Sequence, residues 1–189
     1  RFGQIVARVL TMRGIPFTAL EGSARQVDFV RQFGNEIYYG DATRLDLLRN
    51  AHVADASAFV IAVEDTETSL SIARLVRETC PKVMIMARAS DRNHELRLRE
   101  MGITHAIRDT LLSSLGLTAD LLQHLGFSEE EARHSIERFR DHDQKTLERQ
   151  LAVFHDDDAV RETTLDAARQ LRELFREDAA APADETAGS

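Results

Sequence analysis

Short apolar runs alternate with helix-length amphipathic stretches through residues 1–110, and this alternation limits the fold more than any other feature. Phe17–Leu20, Ile37–Tyr39, Ala58–Val63, Val83–Ala87 and Ile103–Ile107 have strand length and composition. Between them lie segments that read as helices: 3–13, Ser23–Phe33, Leu45–Asn50, Glu67–Thr79 and Asp91–Met101. Strands joined through helices pair in parallel with right-handed crossovers, so the pattern predicts an open, doubly wound α/β sheet. Ala58–Val63 is the run most suited to burial within it.

The chain opens on Arg1-Phe2-Gly3-Gln4, which runs straight into an apolar helix start with no strand before it. In a dinucleotide-binding fold, a glycine-rich loop leaves the first strand and its last glycine opens the first helix. Gly3 fits that last glycine, because a missing side chain lets helix and sheet approach closely. The expectation is a Rossmann-like unit over 1–110 whose first strand lies upstream of this sequence.

Beyond Leu111 the strand signals stop. Leu111–Leu125 and Ser128–Phe154 read as helices, the second opening on a capping box at Ser128-Glu129-Glu130-Glu131. Asp156-Asp157-Asp158 favours a further helix N-terminus, with Val160, Leu165, Ala168, Leu171 and Phe175 as its apolar stripe. Such a stripe serves intrachain packing or a dimer arm equally well. Residues 111–176 are therefore expected to form a helical dimerisation and effector region. The Ala/Pro/Asp/Glu/Gly/Ser segment 177–189 is expected to be disordered.

Charge is unevenly distributed. Residues 1–118 hold 15 basic and 14 acidic side chains, against 9 and 18 in residues 119–189. A nucleic-acid binder carries a basic face, and this acidic half argues against one. No run of eighteen apolar residues is present, so no segment is long and apolar enough to span a bilayer as a helix. The single Cys80 excludes an internal disulfide, fits a reducing compartment and sits before Pro81 at a helix end.

Candidate chemistry gathers at strand ends. Ligands of open α/β sheets bind outside the carboxyl ends of the strands, so residues there share one edge. Glu21 ends the second strand about twenty residues after the glycine loop, where a carboxylate accepts both ribose hydroxyls and repels a 2′-phosphate. That favours AMP or NAD(H) over NADP; an exposed acid in a turn is the plain alternative. Gly40-Asp41-Ala42-Thr43 follows the third strand, where Asp and Thr bond an adenine edge or simply cap the next helix. Glu64-Asp65 follows the fourth strand and doubles as an ordinary helix start, and Arg88 follows the fifth as an anion contact or an ion-pair partner. With Arg1, Phe2 and Gly3 these residues are the expected nucleotide site.

Catalytic signals are missing. The seven histidines are scattered without relay or metal-ligand spacing and read mostly as surface residues. No nucleophile elbow or P-loop occurs. The residues describe a binder, with a small NAD-dependent oxidoreductase as the enzymatic alternative.

Three stretches carry a family resemblance: Arg1-Phe2-Gly3-Gln4-Ile5-Val6; Tyr39-Gly40-Asp41-Ala42-Thr43-Arg44-Leu45-Asp46-Leu47-Leu48; and Ala87-Arg88-Ala89 with His94 and Arg97-Leu98-Arg99. Over about residues 1–155 the chain resembles the cytoplasmic KTN or RCK (TrkA-N type) regulatory domain of bacterial Kef-type potassium efflux antiporters. The resemblance implies an adenine-nucleotide site, a homodimer, an upstream membrane antiporter domain in the same chain, and the cytoplasmic face of the inner membrane. An ancillary oxidoreductase on the outer surface is a further partner of such systems. It also implies glutathione between protomers, with effector contacts carried over to Arg8, Arg108 and Asp143. Asp143 departs from the family's asparagine and adds negative charge beside an anionic ligand, while Phe33 matches a phenylalanine linked to switching. A regulatory subunit of a potassium uptake system or channel is the related alternative. The acidic helical extension favours the efflux type, since uptake-type units more often carry a second α/β lobe.

Overall fold

The computed structural model describes residues 2–22 and 36–180. Arg1 and the expected helix carrying Ser23, Phe33 and Gly34 lie outside the described residues. The chain divides into two compact units, Arg1–Asp109 and Thr110–Ser189.

The first unit begins with α1 (Phe2–Met12), then β1 (Thr18–Glu21), β2 (Glu36–Tyr39) and a short α2 (Leu45–Asn50). There follow β3 (Ala58–Ile61), α3 (Thr66–Thr79), β4 (Met84–Ala89), α4 (Arg92–Glu100) and β5 (His105–Arg108). All pairings are parallel. β1 pairs with β2, β3 with β4 and β4 with β5, giving a two-stranded and a three-stranded sheet among the described residues. The predicted alternation and sheet class are both present.

Burial in β4 alternates residue by residue, as period-two side chains on one covered face require. Ile85, Ala87 and Ala89 join Leu70, Ala73 and Val76 of α3 and Leu98 of α4 in one apolar core. The opposite face carries Val60, Met84, Met86 and Ile107, all exposed among the described residues. This corrects the expectation for Ala58–Val63. The strand ends at Ile61, and Val60 is 41% exposed, because among the described residues only one face of the β3–β4 pair is covered.

Helix ends follow local chemistry. Asp65 caps α3 by accepting from the Thr68 amide at 2.8 Å, and Asp91 caps α4 by accepting from the His94 amide at 2.8 Å. Cys80 is the residue that closes α3, as its position before Pro81 suggested.

The second unit is helical, with α5 (Asp109–His124) leading into it, then α6 (Glu129–Ala152) and α7 (Asp157–Ala180). The capping box forms: the Glu131 amide donates to Ser128 Oγ, and the Ser128 amide donates to the Glu131 carboxylate at 2.7 Å. α6 and α7 pack together through buried Leu147, Thr146 and Gln150 on one side and Ala167 on the other. Gln150 Nε2 donates to Thr164 Oγ1 at 2.8 Å, and His142 Nε2 donates to the Ala167 carbonyl at 3.0 Å. The packed stripe of α7 is therefore Val160, Thr163, Ala167, Leu171 and Leu174. Leu165, Ala168 and Phe175, expected in that stripe, are exposed. α7 also continues to Ala180, past the expected start of disorder at residue 177; residues 181–189 lie outside the described residues.

Candidate functional site at the carboxyl edge of the sheet

Parallel pairing sets the carboxyl ends of the strands in each sheet along one edge. At the end of β1 and β2, Glu21 stands opposite Tyr39, and the Gly40 amide donates to the Glu21 carbonyl at 3.0 Å. This bond fastens the Glu21 turn to the Gly40–Thr43 turn. Gly40 has φ +155°, a backbone conformation that favours glycine, and a Cβ there would crowd the Leu47 side chain at 3.3 Å. Asp41 next accepts from the Thr43 amide at 2.9 Å and from Thr43 Oγ1 at 2.8 Å. These bonds hold the Asp41 carboxyl below its usual range. Asp41 and Thr43 thus rigidify the turn, and Ala42 between them packs against the core.

At the end of β3, a Cβ on Gly3 would lie 3.1 Å from Ala62 Cβ. The N-terminus of α1, with Phe2 and Gly3, therefore lies against the β3 end, which is the role assigned to the loop's last glycine. Glu64 and Asp65 follow directly and open α3. Asp65 is held below the usual carboxylate range by the Thr68 hydroxyl and amide. The starts of α1 and α3 thus flank the end of one strand. Helix N-termini present unpaired amides and a positive dipole end to any anion lodged there.

The register divides the two basic residues at the ends of β4 and β5. Arg88 pairs with Ile107 and so lies on the open face, whereas Arg108 pairs with Ala89 on the covered face. Arg88 Nε donates to Asp109 at 2.7 Å in a partly buried ion pair. Arg108 Nε donates to Glu95 of α4 at 2.7 Å, and Arg99 donates to the other oxygen of Glu95 at 2.9 Å. Arg8 is exposed on α1. Asp143, on α6, is buried.

Two polar residues escaped the sequence reading. His94, counted there among mainly surface histidines, is 1% exposed. The Ser90 amide can only donate, and it lies 3.2 Å from His94 Nδ1, so Nδ1 accepts and Nε2 carries the hydrogen. Nε2 then donates to Ser69 Oγ at 3.2 Å. Thr66 Oγ1 lies 3.1 Å from Ser90 Oγ, which closes a polar cluster joining α3 to the start of α4. Burial pushes the imidazole below its ordinary value; Asp91 and Glu67 oppose that shift, and Arg97 and Arg88 reinforce it. Glu95, the neighbouring residue, is also buried. Its one advance signal was Arg99 four residues later, a common helical ion-pair spacing.

Among the described residues no group of three or more His, Cys, Asp or Glu side chains could hold a metal ion, and no helix is long and apolar enough to cross a membrane.

Comparison with known proteins identifies the family. Residues 1–109 match the TrkA-N domain, and residues 113–188 match the potassium efflux system KefB C-terminal domain. The chain is 34% identical to the glutathione-regulated potassium-efflux system protein KefC of Cronobacter sakazakii over 95% of its length. The same-named protein of Escherichia coli O139:H28 is 34% identical over 94% of the chain. The chain spans 29% of the length of each of these relatives. Among solved structures, the Kef C-terminal domain of Shewanella denitrificans in its AMP-bound form is 35% identical, with a TM-score of 0.74 over 81% of this chain and 93% of that one. The TrkA-N domain of the Escherichia coli inner membrane protein ybaL, 21% identical with a TM-score of 0.58 over 62% of this chain and 87% of that one, shares the fold. With its first 109 residues matching one model and nearly all the rest matching the other, the chain belongs to the TrkA-N family, in the branch that forms the C-terminal region of Kef-type potassium efflux systems.

Proposed function

We propose that this chain is the ligand-sensing regulatory domain of a potassium efflux antiporter, acting by binding and not by catalysis. An adenine nucleotide, AMP or NAD(H), sits at the carboxyl edge, with Glu21 on the ribose hydroxyls and the starts of α1 and α3 facing phosphate. The observation that carries the reading is the joint placement of Glu21 beside Gly40 and of Gly3 against Ala62. The AMP-bound form of the Shewanella relative supports the same nucleotide class. The match of residues 113–188 to the KefB C-terminal domain supports efflux over an uptake system or channel.

In this reading the domain works as a homodimer on the cytoplasmic face of the inner membrane, joined to an upstream antiporter domain. A glutathione-type effector is read by Arg8 and Arg108, whose guanidiniums suit its carboxylates. Gating requires the effector to favour one arrangement of the pair, typically by ~1–3 kcal/mol. Calorimetry on the full chain tests both halves. AMP and NADH are expected to bind, NADP(H) to bind weakly, and Glu21→Ala to lose about tenfold in AMP affinity, ~1.4 kcal/mol. Arg8→Ala and Arg108→Ala are expected to weaken glutathione only. Absence of heat with every adenylate overturns the nucleotide site, and unchanged glutathione affinity in both arginine variants overturns the effector site.

A further inference from the structure

Glu95 is 4% exposed, yet it carries no role in the nucleotide edge. Its two carboxylate oxygens serve different arginines: Oε1 accepts from Arg99 one helical turn along, and Oε2 accepts from Arg108 Nε at the end of β5. The side chains of Arg99 and Arg108 are themselves only 18% and 11% exposed. A buried carboxylate shared in this way is stable only while both cations stay in register. A guanidinium is planar, so a bond at Nε fixes its plane and its direction. Glu95 also offsets part of the local positive charge, so recognition at Arg108 depends on geometry more than on charge alone.

The neighbouring contacts keep this arrangement in place. His94, the residue before Glu95, bonds Ser69 of α3 and the Ser90 amide, which fixes α4 along its length and in rotation. Asp109, the residue after Arg108, is held by Arg88 from β4. The end of β5 is therefore pinned on both faces of the sheet, by Glu95 on the covered side and by Arg88 on the open side.

We propose that Glu95 is the positioning residue for Arg108: it orients the guanidinium that reads the effector carboxylate. This rests on the reading of Arg108 as an effector contact given above.

The test uses the full chain, reduced glutathione as the probe and AMP as the control for folding. In wild type, the Arg108 Nε–H resonance, assigned by its disappearance in Arg108→Lys, is expected to be protected from solvent exchange. Glu95→Gln is expected to lose that protection and to weaken glutathione at least tenfold, with AMP affinity within twofold of wild type. If Arg108→Ala weakens glutathione but Glu95→Gln binds it like wild type, the positioning role is overturned and the effector reading stands. If Arg108→Ala itself binds glutathione like wild type, the effector reading fails and the inference fails with it. Should Glu95→Gln also lose AMP, the wild-type resonance decides: exchange as fast as that of an exposed arginine overturns the proposal, and protection supports it.

Discussion

His94 illustrates how a residue acquires its chemistry from partners distant in sequence. Ser69 and Thr66 lie 25 and 28 residues away, and their hydroxyls together with the Ser90 amide hold the ring neutral. Protonating Nδ1 would set a second hydrogen against the Ser90 amide and strand a charge in the interior. The linkage sign follows from the depressed folded-state value. Above the unfolded value of about 6.5 both states are neutral and His94 contributes no pH dependence. As pH falls below it, the unfolded chain binds the proton first, so stability drops until the folded value is reached. Urea midpoints measured between about pH 7.5 and about pH 5 should therefore fall more steeply for wild type than for His94→Asn. Equal slopes would show that another group carries the acid sensitivity. Nothing adjacent to His94 in sequence announces this burial, whereas the Gly40 turn and the Asp65 cap could be located in advance because each follows the end of a strand.

Elements whose ends are set by neighbouring residues were readable in advance. The Ser128–Glu131 box lies within four positions and forms as written, with both reciprocal bonds present. Ser128→Ala should lower stability by ~1 kcal/mol, the usual cost of a lost N-cap. Leu147→Ala, on the face of α6 against α7, should cost about 2–5 kcal/mol through its cavity. Denaturant melts followed by helical circular dichroism check both; a larger loss from the cap than from the core leucine would contradict the packing of α6 on α7. The α7 stripe was misread for a different reason. Its apolar residues occupy more than one face, and only the partner helix selects Val160, Ala167 and Leu171 over Leu165 and Phe175.

At the scale of the whole molecule, binding and stability are linked. A ligand at one hundred times its Kd adds ~2.7 kcal/mol to a folded state that alone binds it. AMP at such a concentration should raise the thermal midpoint of the wild-type chain, and the same concentration should raise that of Glu21→Ala less. A shift of equal size in both would separate Glu21 from the nucleotide.

The sequence by itself determined the strand–helix alternation, the caps, the glycines at Gly3 and Gly40 and the acidic carboxyl edge, because each depends on contacts within a turn or on strand period. Only the tertiary structure decided which face of β4 is covered, that Arg88 and Arg108 lie on opposite faces, and that Glu95 and His94 are buried. Those outcomes depend on strand register and helix docking, which bring together groups too far apart in the chain for any local pattern to encode.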